Sequence, residues 1–347
     1  GRVSVPAPLR LAVVGCGAVA ELYHLPAIAA TESVELVALV DPALHRARTL
    51  AGRHGASHAL PDASELPGLV DAAVVATPNR LHAAVASSLL RAGIHTLVEK
   101  PLARTTLECD EIAAAAASSG ALAAVGHDFR WFPVAGFAKE LFESRMLGRV
   151  EHVDLRQSQT GGWPSRTASS FSRDDSGGGV LLDFGVHMLD LLGWWLGGLH
   201  PSAYRDDAAG GVEAECEVDL DTGGGARVHV ALSRRRTMRE TFVVRCERAT
   251  VEIGIFEPAL LRISLPAGGA VEGDVPDDEF ARAPILTVFR RQLEAFASAI
   301  RTGSGPVVSL ADGRRAVALV ETCYSMREPL RRPWDWPDAL AAARTVA

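Results

Sequence analysis

Asp183, His187 and Asp190 fall within one apolar stretch, residues 181–196, whose composition predicts a buried helix. Three ionisable side chains on such a helix are costly to bury unless they line a cleft. Residues four apart share a helix face, so the spacing brings Asp183 and His187 together. The pair is an imidazole that titrates near neutral pH beside a carboxylate able to orient it or hold a substrate hydroxyl, the equipment of general acid–base chemistry. An i,i+4 pair can also hold zinc. Here no third ligand with proper spacing and no cysteine cluster accompanies it, so no metal is expected.

A second signal is compositional. Of the 35 basic residues, only Lys100 and Lys139 are lysine. Bias toward arginine codons accounts for most of this. A retained lysine nonetheless points to a need for a compact amine that can release its proton, which guanidinium cannot do. Lys139 falls in a helical pattern and is expected on a solvated face. Lys100 stands between Glu99 and Pro101 at the end of an apolar run, and is the catalytic candidate.

A third constellation binds. Gly15-x-Gly17-x-x-Ala20 lies between an apolar run at 11–14 and a helical stretch reaching about residue 30. Gly15 permits a tight turn, Gly17 lets the backbone approach a pyrophosphate, and Ala20 keeps helix and strand close. The pyrophosphate would meet the helix start at Ala18 and Val19. Asp41 ends the next apolar run, where a carboxylate accepts hydrogen bonds from ribose hydroxyls and repels a 2′-phosphate. NAD is therefore expected over NADP. Arg46 and Arg48 are the counter-signal, since either could reach a 2′-phosphate.

These residues need elements to position them. Short apolar runs at 11–14, 34–40, 72–76, 94–98 and 122–125 alternate with helical patterns at about 43–54, 81–92 and 108–119. That grammar predicts a doubly wound parallel sheet over residues 1–126, covered on both faces. From 127 to 347 it changes. A helix at 134–144 and a strand at 149–157 precede a Gly/Ser/Arg-rich stretch at 160–179 and the helix at 181–196. Then Val212, Ala214, Cys216, Val218 and Leu220 alternate with Glu213, Glu215, Glu217, Asp219 and Asp221. A turn at Gly223-Gly224-Gly225 leads to Val228, Val230 and Leu232, giving an antiparallel hairpin with one buried and one polar face. Strands at 241–246 and 250–253 and helices at 287–301 and 310–327 complete a mostly antiparallel α+β domain.

Composition bounds the rest. A hydrophobic fraction of 48% with 22% charged residues describes an ordinary globular protein. A net charge of -7 argues against a general nucleic-acid binder. No run of apolar residues is long enough to suggest a membrane span, and the amino terminus shows no signal-peptide pattern. Five scattered cysteines (16, 109, 216, 246 and 323), never in C-x-x-C, read as reduced thiols of a cytoplasmic protein.

Four ordered motifs then carry a resemblance. Gly15-Cys16-Gly17 with His24-Leu25-Pro26, Thr77-Pro78-Asn79 with His82, Glu99-Lys100-Pro101 with Gly126 to Trp131, and Gly177-Gly178-Gly179 leading to Asp183 and His187 resemble the Gfo/Idh/MocA oxidoreductases. The resemblance implies an NAD(P)-dependent dehydrogenase or ketoreductase acting on a secondary alcohol of a polyol, sugar, cyclitol or nucleotide-linked sugar. Two alternatives are a glycosidase that retains NAD and a non-catalytic sensor of the same fold. It implies a cofactor lined by Gly15, Gly17, Ala18, Val19, Asp41, Thr77, Pro78, Asn79, His82, Glu99 and Lys100. Lys100 would sit at the nicotinamide, its pKa lowered by burial and by the positive ring. Catalysis would fall to Lys100, Asp183 and His187, with Asp128, Arg130 and Trp163 also holding substrate and Arg166 or Arg173 clamping an anion. His127, Asp128 and Phe129 depart from the commoner family pattern. A homodimer or homotetramer through the antiparallel sheet is implied as well, with the acidic row 213–221 meeting Arg234, Arg235 or Arg236 of a neighbour as one possibility.

Overall fold

The computed structural model describes residues 7–160, 172–256 and 260–330. Its first sheet contains β1 (Leu9–Val14), β2 (Val34–Val40), β3 (His58–Leu60), β4 (Ala72–Val75), β5 (His95–Glu99) and β6 (Ala123–Gly126). The order is β3-β2-β1-β4-β5-β6, and every pairing is parallel. Helices α1 (Leu25–Ala29), α2 (Leu44–His54), α3 (Asn79–Arg91) and α4 (Thr106–Ser119) cover it. β4 and β6 are wholly buried, as strands covered on both faces must be. The expected doubly wound half is present, with one addition. β3 is a three-residue edge strand too short to carry a periodic signal.

The second sheet has nine strands. They are β7 (Val150–Ser158), β8 (Leu199–Asp206), β9 (Glu215–Thr222), β10 (Arg227–Ser233), β11 (Thr241–Cys246), β12 (Thr250–Ile253), β13 (Leu261–Ser264), β14 (Ala270–Gly273) and β15 (Arg327–Pro329). The sheet runs β14-β13-β12-β11-β7-β10-β9-β8-β15, antiparallel except where β10 meets β7 and β15 meets β8. Val153, Leu155, Val218, Leu220, Val228, Val230 and Phe242 form its inner face. They bury against Leu181, Met188, Leu189 and Leu192 and against Val134 and Ala138. The former group belongs to α7 (Val186–Leu196) and the turn before it. The latter two belong to α5 (Pro133–Glu143). Between these helices comes α6 (Arg173–Ser176). The run Arg173–Leu196 has the length and hydropathy of a membrane span, yet 78% of its apolar window is buried inside the protein. It is a core helix.

The carboxyl-terminal helices are α8 (Asp278–Arg282), α9 (Pro284–Thr302) and α10 (Leu310–Ser325). Leu293, Phe296 and Ala297 of α9 pack into the core beneath β1 and β4, and Val317 of α10 joins the core on the sheet's other face. The expected boundary at 126/127 therefore marks where the first sheet ends, and the two cores are tied together by the last helices.

Candidate active site

The strand order reverses between β1 and β4, and the chain leaves both strands at the same edge. In open parallel sheets a ligand crevice forms at such a switch point. Gly15 follows β1 with φ +99°, and a Cβ there would lie 2.5 Å from the Ala76 carbonyl oxygen. Only glycine lets the loops after β1 and β4 touch. At Gly17 the space that a Cβ would fill is open. The Thr77 hydroxyl is buried without a hydrogen-bond partner among the described residues. An open glycine cradle at a helix start, facing an unsatisfied hydroxyl across the crevice, fits a dinucleotide. Ala18 and Val19 open the helical run beside it.

Asp41 sits at the end of β2, as expected. Its carboxylate accepts from the amides of Cys16 at 2.9 Å and Ala43 at 2.8 Å, so it also fastens the glycine turn. Arg46 turns inward to the Cys16 carbonyl and to Glu21, while Arg48 is exposed. Pro78 precedes α3, and the Asn79 amide donates to the Ser176 carbonyl at 2.9 Å, joining this loop to α6. His82 is different from its neighbours. It is fully buried, with its ring nitrogens 2.8 Å from the Pro101 and 2.9 Å from the Thr77 carbonyls, so it braces the two loops from behind.

At the exit of β5, Glu99 meets the His24 ring at 2.6 Å. A π turn over Ala20–His24 widens the helix and brings His24 inward. Against the pull of burial, the hydrogen bond from His24 and the nearby Lys100 hold the Glu99 carboxyl below its usual range. Lys100 points away from Glu99. Its ammonium donates to the Asp183 carboxylate at 2.8 Å and to the Asp183 carbonyl at 2.9 Å. Here the expectation of a lowered lysine pKa is corrected. Burial does push it down, but the Asp183 charge and hydrogen bond outweigh burial and raise it. The other Asp183 oxygen pairs with Arg234, and against the effect of partial burial the two cations hold this carboxyl low.

The expected partnership of Asp183 with His187 is also corrected. Asp183 lies in a π turn, Leu181–Gly185, and His187 in the α-helix that follows, so the ideal four-residue spacing does not apply between them. The carboxylate beside His187 is Asp128, with Oδ1 3.3 Å from Nδ1. Phe129 stacks on the imidazole, with ring centroids 4.1 Å apart. Burial, then the charge of Lys100, pushes His187 well below the ordinary histidine range. It is neutral at pH 7. Burial and the Glu99 charge push Asp128 up to about 8.

Arg130 does not reach this cleft. It grips Asp190 through two hydrogen bonds of 2.7 and 2.6 Å, lies 3.2 Å from Asp312, and stacks on Trp194. All its charge is spent inside the protein, which corrects the substrate-binding expectation. Trp163 and Arg166 lie outside the described residues. Arg173 begins α6.

Several groups escaped the sequence reading. Glu213, assigned to a polar face, is buried and accepts from the Gly179 and Leu181 amides and the Tyr324 hydroxyl, anchoring the start of the core helix. A Cβ at Gly178 would lie 2.1 Å from the Tyr324 oxygen, and one at Gly179 2.0 Å from the Glu213 carbonyl oxygen, which explains the glycine run. Lys139, expected in solvent, caps the Trp194 carbonyl at 2.7 Å. Arg234, Arg235 and Arg236 pair with Asp183, Asp207 and Glu215 of their own chain, and Asp219 pairs with Arg205 and His229. Arg234 had one legible signal, its place in a basic triplet at the end of a buried strand.

Among the described residues no cluster has the makings of a metal site. All five cysteines are free and buried, and burial raises Cys16, Cys109 and Cys323 to about 12 and Cys246 to about 11, so none is a ready nucleophile.

Comparison with known proteins bears on the family and the fold. An oxidoreductase subunit putatively of UDP-kanosamine synthase, from Amycolatopsis mediterranei, is 39% identical over 56% of this chain and 53% of its own length. The chain thus matches about half the length of that relative. A 1,5-anhydro-D-fructose reductase from Ensifer adhaerens is 26% identical over 90% of this chain and 96% of its own. The crystal structure of a 3-ketoreductase from Actinomadura kijaniata, complexed with NADP and TDP-benzene, shares the fold with a TM-score of 0.83. It is 23% identical over 94% of this chain and 100% of that one. Residues 9–127 match the model of an oxidoreductase family with an NAD-binding Rossmann fold, and residues 137–252 that of the GFO/IDH/MocA C-terminal domain. With both halves matched in order, the chain belongs to the GFO/IDH/MocA oxidoreductase family.

Proposed function

We propose that the protein transfers a hydride between a nicotinamide dinucleotide and a secondary alcohol or ketone of a sugar, cyclitol or nucleotide-linked sugar. The observation that carries this reading is the meeting of Lys100, Asp183, His187 and Asp128 beside the glycine cradle. A bound nicotinamide ring supplies the hydride chemistry. The chain's own side chains handle the proton and the orientation. Lys100, kept charged by Asp183, donates a hydrogen bond to the reacting oxygen and stabilises negative charge there. Neutral His187 accepts or returns a proton, and Phe129 fixes its ring plane. Asp183, shared by Lys100 and Arg234, holds the ammonium in place.

The test is a dehydrogenase screen over inositols, aldoses, glycosides and nucleotide sugars, with both cofactors. Release of an aglycone without net reduced cofactor would favour the NAD-retaining glycosidase instead. NAD is the preferred cofactor in this reading, because Asp41 puts a negative charge where a 2′-phosphate would lie. Asp41→Ala should weaken NAD and narrow the gap to NADP in kcat/KM. Wild-type preference for NADP would refute the assignment. We further propose a homodimer or homotetramer formed through the outer face of the nine-stranded sheet, checked by sedimentation at micromolar concentration.

A further inference from the structure

Asp128 stands at the crossing from the first sheet to the second, in the short 3-10 turn Asp128–Trp131 after β6. Glu99 and Lys100 face it from the exit of β5, His187 faces it from α7, and His127 precedes it. Its carboxyl makes no ion pair with Lys100, whose ammonium is committed to Asp183. Among the described residues the ring nitrogen within 4 Å of it is Nδ1 of His187, at 3.3 Å, and that buried nitrogen has no hydrogen-bond partner of its own. Phe129 holds the imidazole plane flat against itself, so the ring cannot swing to find another acceptor.

We propose that Asp128 is the proton acceptor behind His187. The inference rests on the hydride-transfer reading above. In alcohol oxidation the substrate O–H bond breaks and an N–H bond forms on the imidazole. The Nδ1–H bond breaks in turn and an O–H bond forms on the Asp128 carboxylate. The carbinol hydrogen leaves with its electron pair to the nicotinamide dinucleotide, so the substrate loses one hydride and one proton. Carbonyl reduction runs the same transfers backward. An ionised Asp128 also selects the tautomer with hydrogen on Nδ1, leaving the second ring nitrogen free to accept. Asp128 acts through His187 and is therefore a positioning residue, with the proton as its cargo.

The consequence for pH follows from charge. Burial and Glu99 favour the protonated carboxyl, and Lys100 only partly opposes them, so Asp128 ionises near 8. Oxidation needs the ionised form, and its kcat/KM should rise with pH and level off above 8. Reduction needs the protonated form and should fall through the same range.

Two measurements on the full-length protein test this. The first is a titration of the unliganded protein by NMR with labelled histidine, the His187 signal being assigned by its loss in His187→Gln. The wild-type ring should show an inflection near pH 8, and Asp128→Asn should abolish it. The second is the oxidation pH profile. Asp128→Asn should lose the rise and about 10²-fold or more in kcat/KM at high pH, while Asp128→Glu restores a rise. Melting curves of the isosteric Asn variant confirm its folding. An inflection absent from wild type, or retained by Asp128→Asn, overturns the proposal. If the inflection behaves as expected but no substrate is oxidised, Asp128 keeps its proton link to His187 and the hydride-transfer reading is what fails.

Discussion

Replacing Arg130 by methionine separates two roles for this residue. A substrate ligand would lose affinity for substrate, whereas a structural ion pair would lose stability. The side chains of Arg130 and Asp190 are 5% and 3% exposed, and two charge-assisted hydrogen bonds join them. Removing the guanidinium strands the Asp190 carboxylate in the core, with the His127 ring 4.0 Å away. Burial keeps His127 neutral at pH 7, so it offers no compensating charge. Breaking one side of a buried ion pair costs about 3–5 kcal/mol. For a chain of this length the unfolding entropy is roughly 0.7 kcal/mol/K, which converts the loss to about 4–7 °C in Tm. The double variant Arg130→Met/Asp190→Leu should recover much of that loss, because the uncompensated charge is gone. Calorimetry on the two single variants and the double variant gives the coupling directly. An unchanged Tm for Arg130→Met with a tenfold or larger rise in KM would refute this reasoning and return Arg130 to the substrate.

Lys100→Arg should keep its charge near Asp183 yet lose about 10²–10³-fold in kcat, since the bulkier planar guanidinium cannot place its donor on the reacting oxygen as the compact ammonium does. A fully active variant in steady-state assays would remove Lys100 from the chemistry. Gly15→Ala should cost about 1–3 kcal/mol from backbone conformation alone, with more from the collision with Ala76, and should weaken dinucleotide binding by calorimetric titration. Unaltered Tm and affinity would contradict the geometry of the loop contact. Glu99 has its folded-state pKa lowered, so its contribution is present above the unfolded value of about 4.3 and is lost as pH falls through the folded value. The acid limb of Tm against pH should therefore be shallower in Glu99→Gln than in wild type, and equal slopes would count against the His24–Glu99 contact as a source of stability.

Local patterns were readable and distant pairings were not. The glycine turn, the alternating strands of the first sheet and the β9–β10 hairpin each declare themselves within a few residues. β8 contains a proline and four charged or titratable side chains, and β13 to β15 are short and lie at the sheet's margins. None has the periodicity that marks a half-buried strand. Glu213 precedes β9 in an alternating row and reads as solvent-facing, yet the chain turns there to place it under the helix start. The π turns before α1 and α7 are likewise silent in the sequence, and they decide where His24 and Asp183 point.

The three ionisable residues of the core helix show why partners matter more than residue types. Asp183 is 35% exposed and its partner Lys100 20%, so a ligand can compete for both. His187 and Asp128 are 6% and 13% exposed, enclosed yet next to that opening. Asp190 and Arg130 are sealed. The helix thus grades from an open ion pair to a closed one within three turns of chain. A proton can enter or leave only near the open end, where water or substrate can reach the donor. The closed end holds the helix against α10 through Asp312 and against the turn that carries Asp128. In the hydride-transfer reading proposed above, this sealed pair would hold still the stretch that carries Asp183 and His187, as a working site requires. The sequence presents these residues as one cluster, and the fold divides them into an accessible pair and a sealed one.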